Sequence, residues 1–218
     1  MNLDWNWIGR NAELIGRLLV EHVVLAVVPV LIALVVSLPL GFAVFRTGRA
    51  ANTVLAVFGV IYSIPSLALF VLMPLLLGTQ ILNPVNIAVA LAVYSVALLV
   101  RSVVDGLRSV PEPVKQSASA VGFGWLRRLL RVELPLAMPV IFAGLRVVTV
   151  SNIALVSVAA AVGSGALGQL FDRGLRNAFF TPVIVGLVLS LLLALLADAL
   201  ILGIQRGTLP WARRKAAA

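Results

Sequence analysis

Few residues in this chain are of types that could do chemistry, and each depends on what its neighbours supply. Gly163, Gly165 and Gly168 spell G-x-G-x-x-G, which is a dinucleotide fingerprint only where a strand precedes it and a helix follows within a βαβ unit. No strand pattern leads into it, so it reads as a flexible, closely packed end to an apolar run, with a hinge or gate as its functional version. Ser164, between two of these glycines, would need a base within hydrogen-bond reach to act as a nucleophile. The single histidine is His22, far away in sequence and just ahead of the first apolar run, where a place at a membrane interface is expected. Asp198 lies inside an apolar run, roughly 9 Å along a helix from Ile204 at 1.5 Å per residue. A carboxylate at that depth either lines a path and couples an ion or pairs with a cation, Arg146 or Arg101 being the candidates; the ion pair is the expectation. Cysteine is absent, which removes thiol nucleophiles, thiolate metal sites and disulfides. The acidic residues are dispersed and form no metal triad, so an integral membrane enzyme, such as a lipid-modifying transferase or hydrolase, lacks its parts. No catalytic residue and no metal site is expected.

The elements that hold these residues follow from composition. The 218 residues are 61% hydrophobic and 11% charged, against about 45–50% and about 25% in ordinary soluble domains. Their apolar residues run in blocks too long for a core of this size to hide. A bilayer-crossing helix needs about 20 apolar residues, and five stretches qualify: 23–45, 54–77, 85–104, 136–162 and 182–204. Pro29, Pro39, Pro65, Pro74 and Pro139 lie inside them and are read as bends, because neighbours in a bundle can satisfy the freed carbonyls. The start of the chain has Asp4 and Glu13 and no basic leader, so the first span is expected to be kept.

The net charge of +9 matters through its placement rather than as a sign of nucleic-acid binding. Twelve Lys and Arg fall on one side: Arg46 and Arg49, the group Arg101 to Arg131, and Arg206 with the tail Arg213, Arg214 and Lys215. Arg10, Arg17, Arg173 and Arg176 make four on the other. The positive-inside bias puts the first set in the cytoplasm. The expected fold is therefore an all-α integral membrane protein of about five spans, N-terminus out and C-terminus in. Residues 1–22 form an extracytoplasmic segment, 23–204 the transmembrane domain with a cytoplasmic loop at 105–135, and 205–218 a basic tail that anchors to anionic lipid.

That loop is long in a chain whose other connections are short, and long loops are often functional. Pro111 and Pro113 suit a helix start. A short helix over 114–121 would carry Ser117, Ala118, Ser119 and Ala120 on a face with almost no bulk. Gly122 and Gly124 then allow a tight turn. A second helix over 125–132 puts Leu126, Leu129 and Leu130 on one stripe beside Arg127, Arg128 and Arg131, suited to lying along a membrane surface, and Pro135 begins the next span. Together these have the geometry of a docking element. Among polar residues in the spans, Ser151, Asn152 and Ser157 recur at helical intervals and are candidates for a translocation path, with interhelical packing as the plain alternative.

The loop resembles the "EAA" loop of binding-protein-dependent ABC permeases: E-A-A, three residues, G, nine residues, I-x-L-P. Here Gln116-Ser117-Ala118 is followed by Gly122 and, nine residues on, by Val132-Glu133-Leu134-Pro135. The spacing is complete, while Glu is replaced by Gln116, the first Ala by Ser117 and Ile by Val132. Stretches 132–146 and 159–175, and Pro-Leu-Gly at 39–41, are similar to those of compatible-solute permeases. The resemblance implies a type I ABC importer permease of the bacterial cytoplasmic (inner) membrane. Its solute would be glycine betaine, carnitine, choline, proline or another small solute such as an amino acid. It implies that Gln116, Ser117, Ala118, Ser119, Ala120 and Gly122, with Leu134 and Pro135, couple to an ATPase. The implied partners are two cytoplasmic ATPase subunits that bind the ATP and Mg, a second permease subunit, identical or homologous, and an extracytoplasmic solute-binding protein. This chain itself would hold no cofactor. A membrane scaffold without transport would leave the loop spacing unexplained.

Overall fold

A computed structural model describes residues 3–163 and 165–213; Ser164 and the tail residues Arg214 and Lys215 lie outside the described residues. Every element is helical among them: α1 (Trp5–Arg10), α2 (Ala12–Arg46), α3 (Ala51–Ser63), α4 (Ser66–Leu77), α5 (Pro84–Arg108), α6 (Glu112–Ala120), α7 (Trp125–Arg128), α8 (Leu134–Val158), α9 (Gly168–Arg176), α10 (Phe180–Thr208) and α11 (Pro210–Arg213). Four continuous helical runs are long and apolar enough to span a bilayer. The run through α3 and α4, bent by 94° at its break, passes the same test only when the two are taken together, as a broken span or a re-entrant loop.

Two expectations need correcting. The first concerns His22: α2 starts at Ala12 and runs for 35 residues, roughly 50 Å at 1.5 Å per residue. His22 is therefore inside a helix rather than at an interface. It is fully buried, with its Nε2 3.0 Å from the Ile153 carbonyl oxygen. Leu18, one turn earlier, packs against Leu167 and Leu170, which is why this polar-looking stretch stays helical. The second correction is Pro65. Pro29, Pro39, Pro74 and Pro139 do sit inside helices, but Pro65 is a boundary. A proline pushes the preceding residue out of the helical region, and Ile64 is extended at φ −63°, ψ 130°. The Ile64 carbonyl, at the break between the two helices, accepts a hydrogen bond from the Tyr94 hydroxyl at 2.6 Å.

α5 is the central pillar. Its Ala90, Leu91 and Tyr94 meet Leu69, Phe70 and Met73 of α4 and Ile153 and Val156 of α8. Val100 and Val104 meet Val44 of α2 and Ala51 and Leu55 of α3. Val103 and Leu107 meet Ala137 and Ile141 of α8. In the middle of this apolar packing three helices share one polar clasp. The Asn152 amide donates to Ser95 Oγ at 2.9 Å and to the Ala26 carbonyl at 3.4 Å, and Ser95 donates to the Leu91 carbonyl at 2.7 Å. A buried amide with these partners specifies the register of α2, α5 and α8, since sliding any one helix would orphan it. α10 is the outlier. Only Thr181, Pro182 and Gly186 at its start are buried, and its long outer face of Leu187, Leu191 and Leu195 is exposed, as suits a helix meeting lipid.

Asn152→Leu is expected to lower stability by about 1–2 kcal/mol, the scale of a lost buried hydrogen-bonding group. Ser95→Ala should add less than its separate effect in the double variant, as read by thermal unfolding in detergent. Full additivity would show that the two side chains do not act as one clasp.

Candidate functional site

The connection from α5 to α8 folds back against the end of α2, where Phe42, Phe45 and Arg46 meet it. Val110 anchors its start, buried with Val103, Leu107, Leu129, Ala137 and Ile141. Pro111 then caps α6 in extended conformation. α6 covers 112–120 rather than 114–121, because Glu112 and Pro113 fit the first turn, where a missing N–H costs nothing. Its end is set by Gly122 at φ +84°. That left-handed residue lets the Gly122 N–H reach the Ser119 carbonyl at 3.0 Å and the Phe123 N–H reach that of Ala118 at 3.1 Å, closing the last turn.

Of the expected docking residues on α6, only Ala118 is buried. Gln116, Ser117, Ser119, Ala120 and Gly122 are exposed. The Ser117 and Ser119 hydroxyls fold back onto the carbonyls of Pro113 and Lys115, at 2.9 and 3.0 Å. The outer face of α6 is thus polar and low at Ser117, Ser119 and Ala120, with Gln116 the longer exposed side chain among them.

Beyond Gly124 the structure departs from the expected pair of surface helix and new span. α7 passes through a π-helical turn at Leu129–Glu133 directly into α8, making one helical run Trp125–Val162 of 38 residues. Leu129 is buried while Leu126 and Leu130 are exposed, so the stripe does not lie along a surface as a unit. Pro135 sits in the first turn of α8, half-buried beside Leu134, and continues a helix rather than starting one.

Three contacts fasten the α6–α7 segment to α8 and to α2, and of the residues that make them only Ser119 was among the expected site residues. Glu133, 3% exposed, accepts a hydrogen bond from Arg128 Nε at 2.7 Å, and Arg128 Nη1 donates to Ser119 Oγ at 2.8 Å. The Trp125 ring stacks on Phe42 at 6.1 Å and 7°, with the Arg46 guanidinium 5.1 Å from the indole. Lys115 places its ammonium 5.5 Å from the Phe45 ring and 3.4 Å from Glu112. α6 is therefore clipped to α2 and α8 at once while its outer face stays free.

The remaining candidates separate. Arg146 and Asp198 do meet, as a bidentate pair with Nε–Oδ1 at 2.6 Å and Nη2–Oδ2 at 2.7 Å, tying the otherwise exposed α10 to α8. Asn152 is 2% exposed inside the clasp described above, which removes it from any path-facing surface of this chain; Ser151 and Ser157 are half-buried. Gly163 has φ +84°. Gly165 and Gly168 are pressed against helix backbone, since a Cβ at Gly165 would lie 2.1 Å from the Ala160 nitrogen and one at Gly168 2.2 Å from the Ser157 oxygen. The trio folds α9 tightly back under the end of α8, with no room there for a dinucleotide.

Residues 33–209 match the family model described as binding-protein-dependent transport system inner membrane component. The chain is 34% identical over 198 residues to the osmoprotectant import permease protein OsmW of Salmonella typhimurium, covering 89% of this chain and 92% of that one. It is 33% identical over 196 residues to the glycine betaine/carnitine/choline transport system permease protein OpuCD of Bacillus subtilis, covering 89% and 84%. In fold it is similar to a chain of the MetNI methionine ABC transporter in an inward-facing conformation, with a TM-score of 0.76 at 22% identity over 87% of this chain and 94% of that one.

Asp198→Asn or Arg146→Gln alone should cut the amount of folded, membrane-inserted protein severalfold, because each strands a charge or its hydrogen-bonding partner within a span. The double variant should recover above either single one. Normal amounts of the single variants combined with lost transport would instead assign the pair to the path.

Proposed function

This chain belongs to the family of binding-protein-dependent transport system inner membrane components, and on that premise we propose that it is the permease of an ATP-driven importer for compatible solutes such as glycine betaine, carnitine, choline or proline. The named relatives support the solute class, since they are an osmoprotectant permease and a glycine betaine/carnitine/choline permease. The observation that carries the mechanism is α6, whose free, low outer face and internal clips suit it to rest in a groove of an ATPase and to pass on its movement.

In this reading the basic end of the bundle is cytoplasmic, giving N-out and C-in. Two ATPase subunits, which hold ATP and Mg, close on nucleotide and push on α6 through Gln116, Ser117, Ser119, Ala120 and Gly122. Ala118 seats α6 on its own bundle, and Leu134 and Pro135 mark where the push enters α8. A binding protein delivers solute to the opposite face, and a second permease, identical or homologous, completes the path, because a bundle whose core is filled by side chains leaves no channel of its own. Ser151 and Ser157 are candidates to face that path, and the turn at Gly163, Gly165 and Gly168 to act as its hinge or gate. Arg206 and the basic residues after it hold the C-terminus against anionic lipid.

Copurification of the chain with an ATPase, followed by solute-stimulated ATP hydrolysis in the reconstituted complex with betaine, choline, carnitine, proline and methionine, tests the reading. Failure to bind any ATPase would overturn it; stimulation by methionine alone would overturn the solute class.

Gly122 offers a sharper check. A Cβ there meets nothing within 4 Å, so Gly122→Ala carries only the left-handed backbone penalty of about 1–2 kcal/mol. Gly122→Leu adds bulk on the face turned to the motor. ATPase affinity should fall about tenfold further in Gly122→Leu, a difference of roughly 1.4 kcal/mol, while both variants insert normally. Equal affinity in the two would separate Gly122 from the contact.

A further inference from the structure

The break between α3 and α4 lies in an unusual place. α3 rises at most about 20 Å from Ala51, so its end at Ser63 is inside the roughly 30 Å hydrocarbon layer. Yet Tyr62, Ser63, Ile64 and Pro65 are all exposed on the surface of this chain. Non-helical backbone at membrane depth is not tolerated against lipid; it occurs only where protein buries it or where it lines a water-filled cavity. Polar groups stand there among aliphatic ones. Ser66 joins Tyr62, Ile64, Tyr94 and Leu155 in lining an open pocket of about 180 Å³.

Both tyrosines of the chain stand at this spot, ring centroids 5.7 Å apart and nearly perpendicular at 83°. Tyr94 is 3% exposed and spends its hydroxyl on the Ile64 carbonyl, whereas Tyr62 is 40% exposed. The buried ring therefore braces the exposed one. The pocket also receives the C-terminal end of α3, the negative end of its dipole, whose last carbonyls have no partners within the helix. No acidic or basic side chain lines it. Electron-rich ring faces and carbonyl oxygens without a formal charge suit a diffuse organic cation, which they attract without trapping.

We propose that this broken span is a transit site for quaternary ammonium groups, with the Tyr62 ring and the carbonyl end of α3 facing the water-filled path and Tyr94 as the positioning residue behind them. The proposal rests on the importer reading above and names the contact that the solute makes with this chain.

The test uses the assembled complex with its ATPase and binding protein in proteoliposomes. Because the chain has no cysteine, Ser63→Cys introduces a single thiol at the break, and modification can be read on this chain alone. Membrane-impermeant thiosulfonates should label it at least tenfold faster than Leu191→Cys on the outer face of α10. The trimethylammonium reagent should outpace the sulfonate one, and excess choline should slow it. Labelling no faster than at Leu191, or a sulfonate preference, would overturn the proposal. In parallel, Tyr62→Leu should reduce choline uptake at least fivefold more than Tyr62→Phe, which keeps the ring; equal losses would also overturn it. If the ATPase does not copurify, the importer reading itself falls. If it does and Ser63→Cys stays inert, only the transit site falls.

Discussion

A peptide group inside hydrocarbon has no water to bond to, and the break at Ile64 and Pro65 is arranged around that requirement. Four spans solve it by running unbroken. The run through α3 and α4 does not, and the carbonyl exposed at Ile64 is taken by a tyrosine hydroxyl projecting from α5. Near the basic end the constraint relaxes, and there the chain uses a proline-capped helix, a left-handed glycine and a π turn within about twenty-five residues. Irregular backbone is thus confined to places where a partner or water can meet it, and these are also the places where function is to be sought.

The same accounting explains how a detour of about two and a half turns can be stiff. α6 contributes only one buried residue to the bundle, too little apolar area to hold it by burial alone. Its rigidity comes from directional contacts: a guanidinium shared between Ser119 and Glu133, a stacked indole, and an ammonium over a ring. Glu133 is the keystone of these, since a carboxylate buried to 3% exposure must keep a donor. Where related loops begin with a glutamate this one has Gln116, and the acidic group that organises the loop sits seventeen residues later, at the foot of α8.

Much of this was legible beforehand, for physical reasons. Apolar runs of bilayer length announce spans, and a small-faced segment between prolines and glycines announces an exposed helix. The Arg146–Asp198 pair could be foreseen because a charge at that depth needs a counter-charge. What stayed hidden depends on geometry that residue types do not encode. A proline in an apolar run looks the same whether the helix continues through it, as at Pro139, or breaks, as at Pro65. Arg128 and Glu133 are five apart, a spacing that an α-helix turns away from one face and a π turn brings together. His22 and Asn152 show the complementary failure: polar types suggested an interface and a path, but each had a carbonyl or hydroxyl waiting on a neighbouring helix.

The π turn has a mechanical meaning. By joining α7 to α8 without a loop, it makes one shaft of 38 residues from Trp125 to Val162, roughly 57 Å long at 1.5 Å per residue. A tilt of about 5° at the Trp125 end sweeps the far tip through on the order of 5 Å for a rod of that length. For a rod of that length a nudge smaller than a side chain at one end corresponds to a displacement as wide as a small solute at the other, and no loop interrupts the helical run between them.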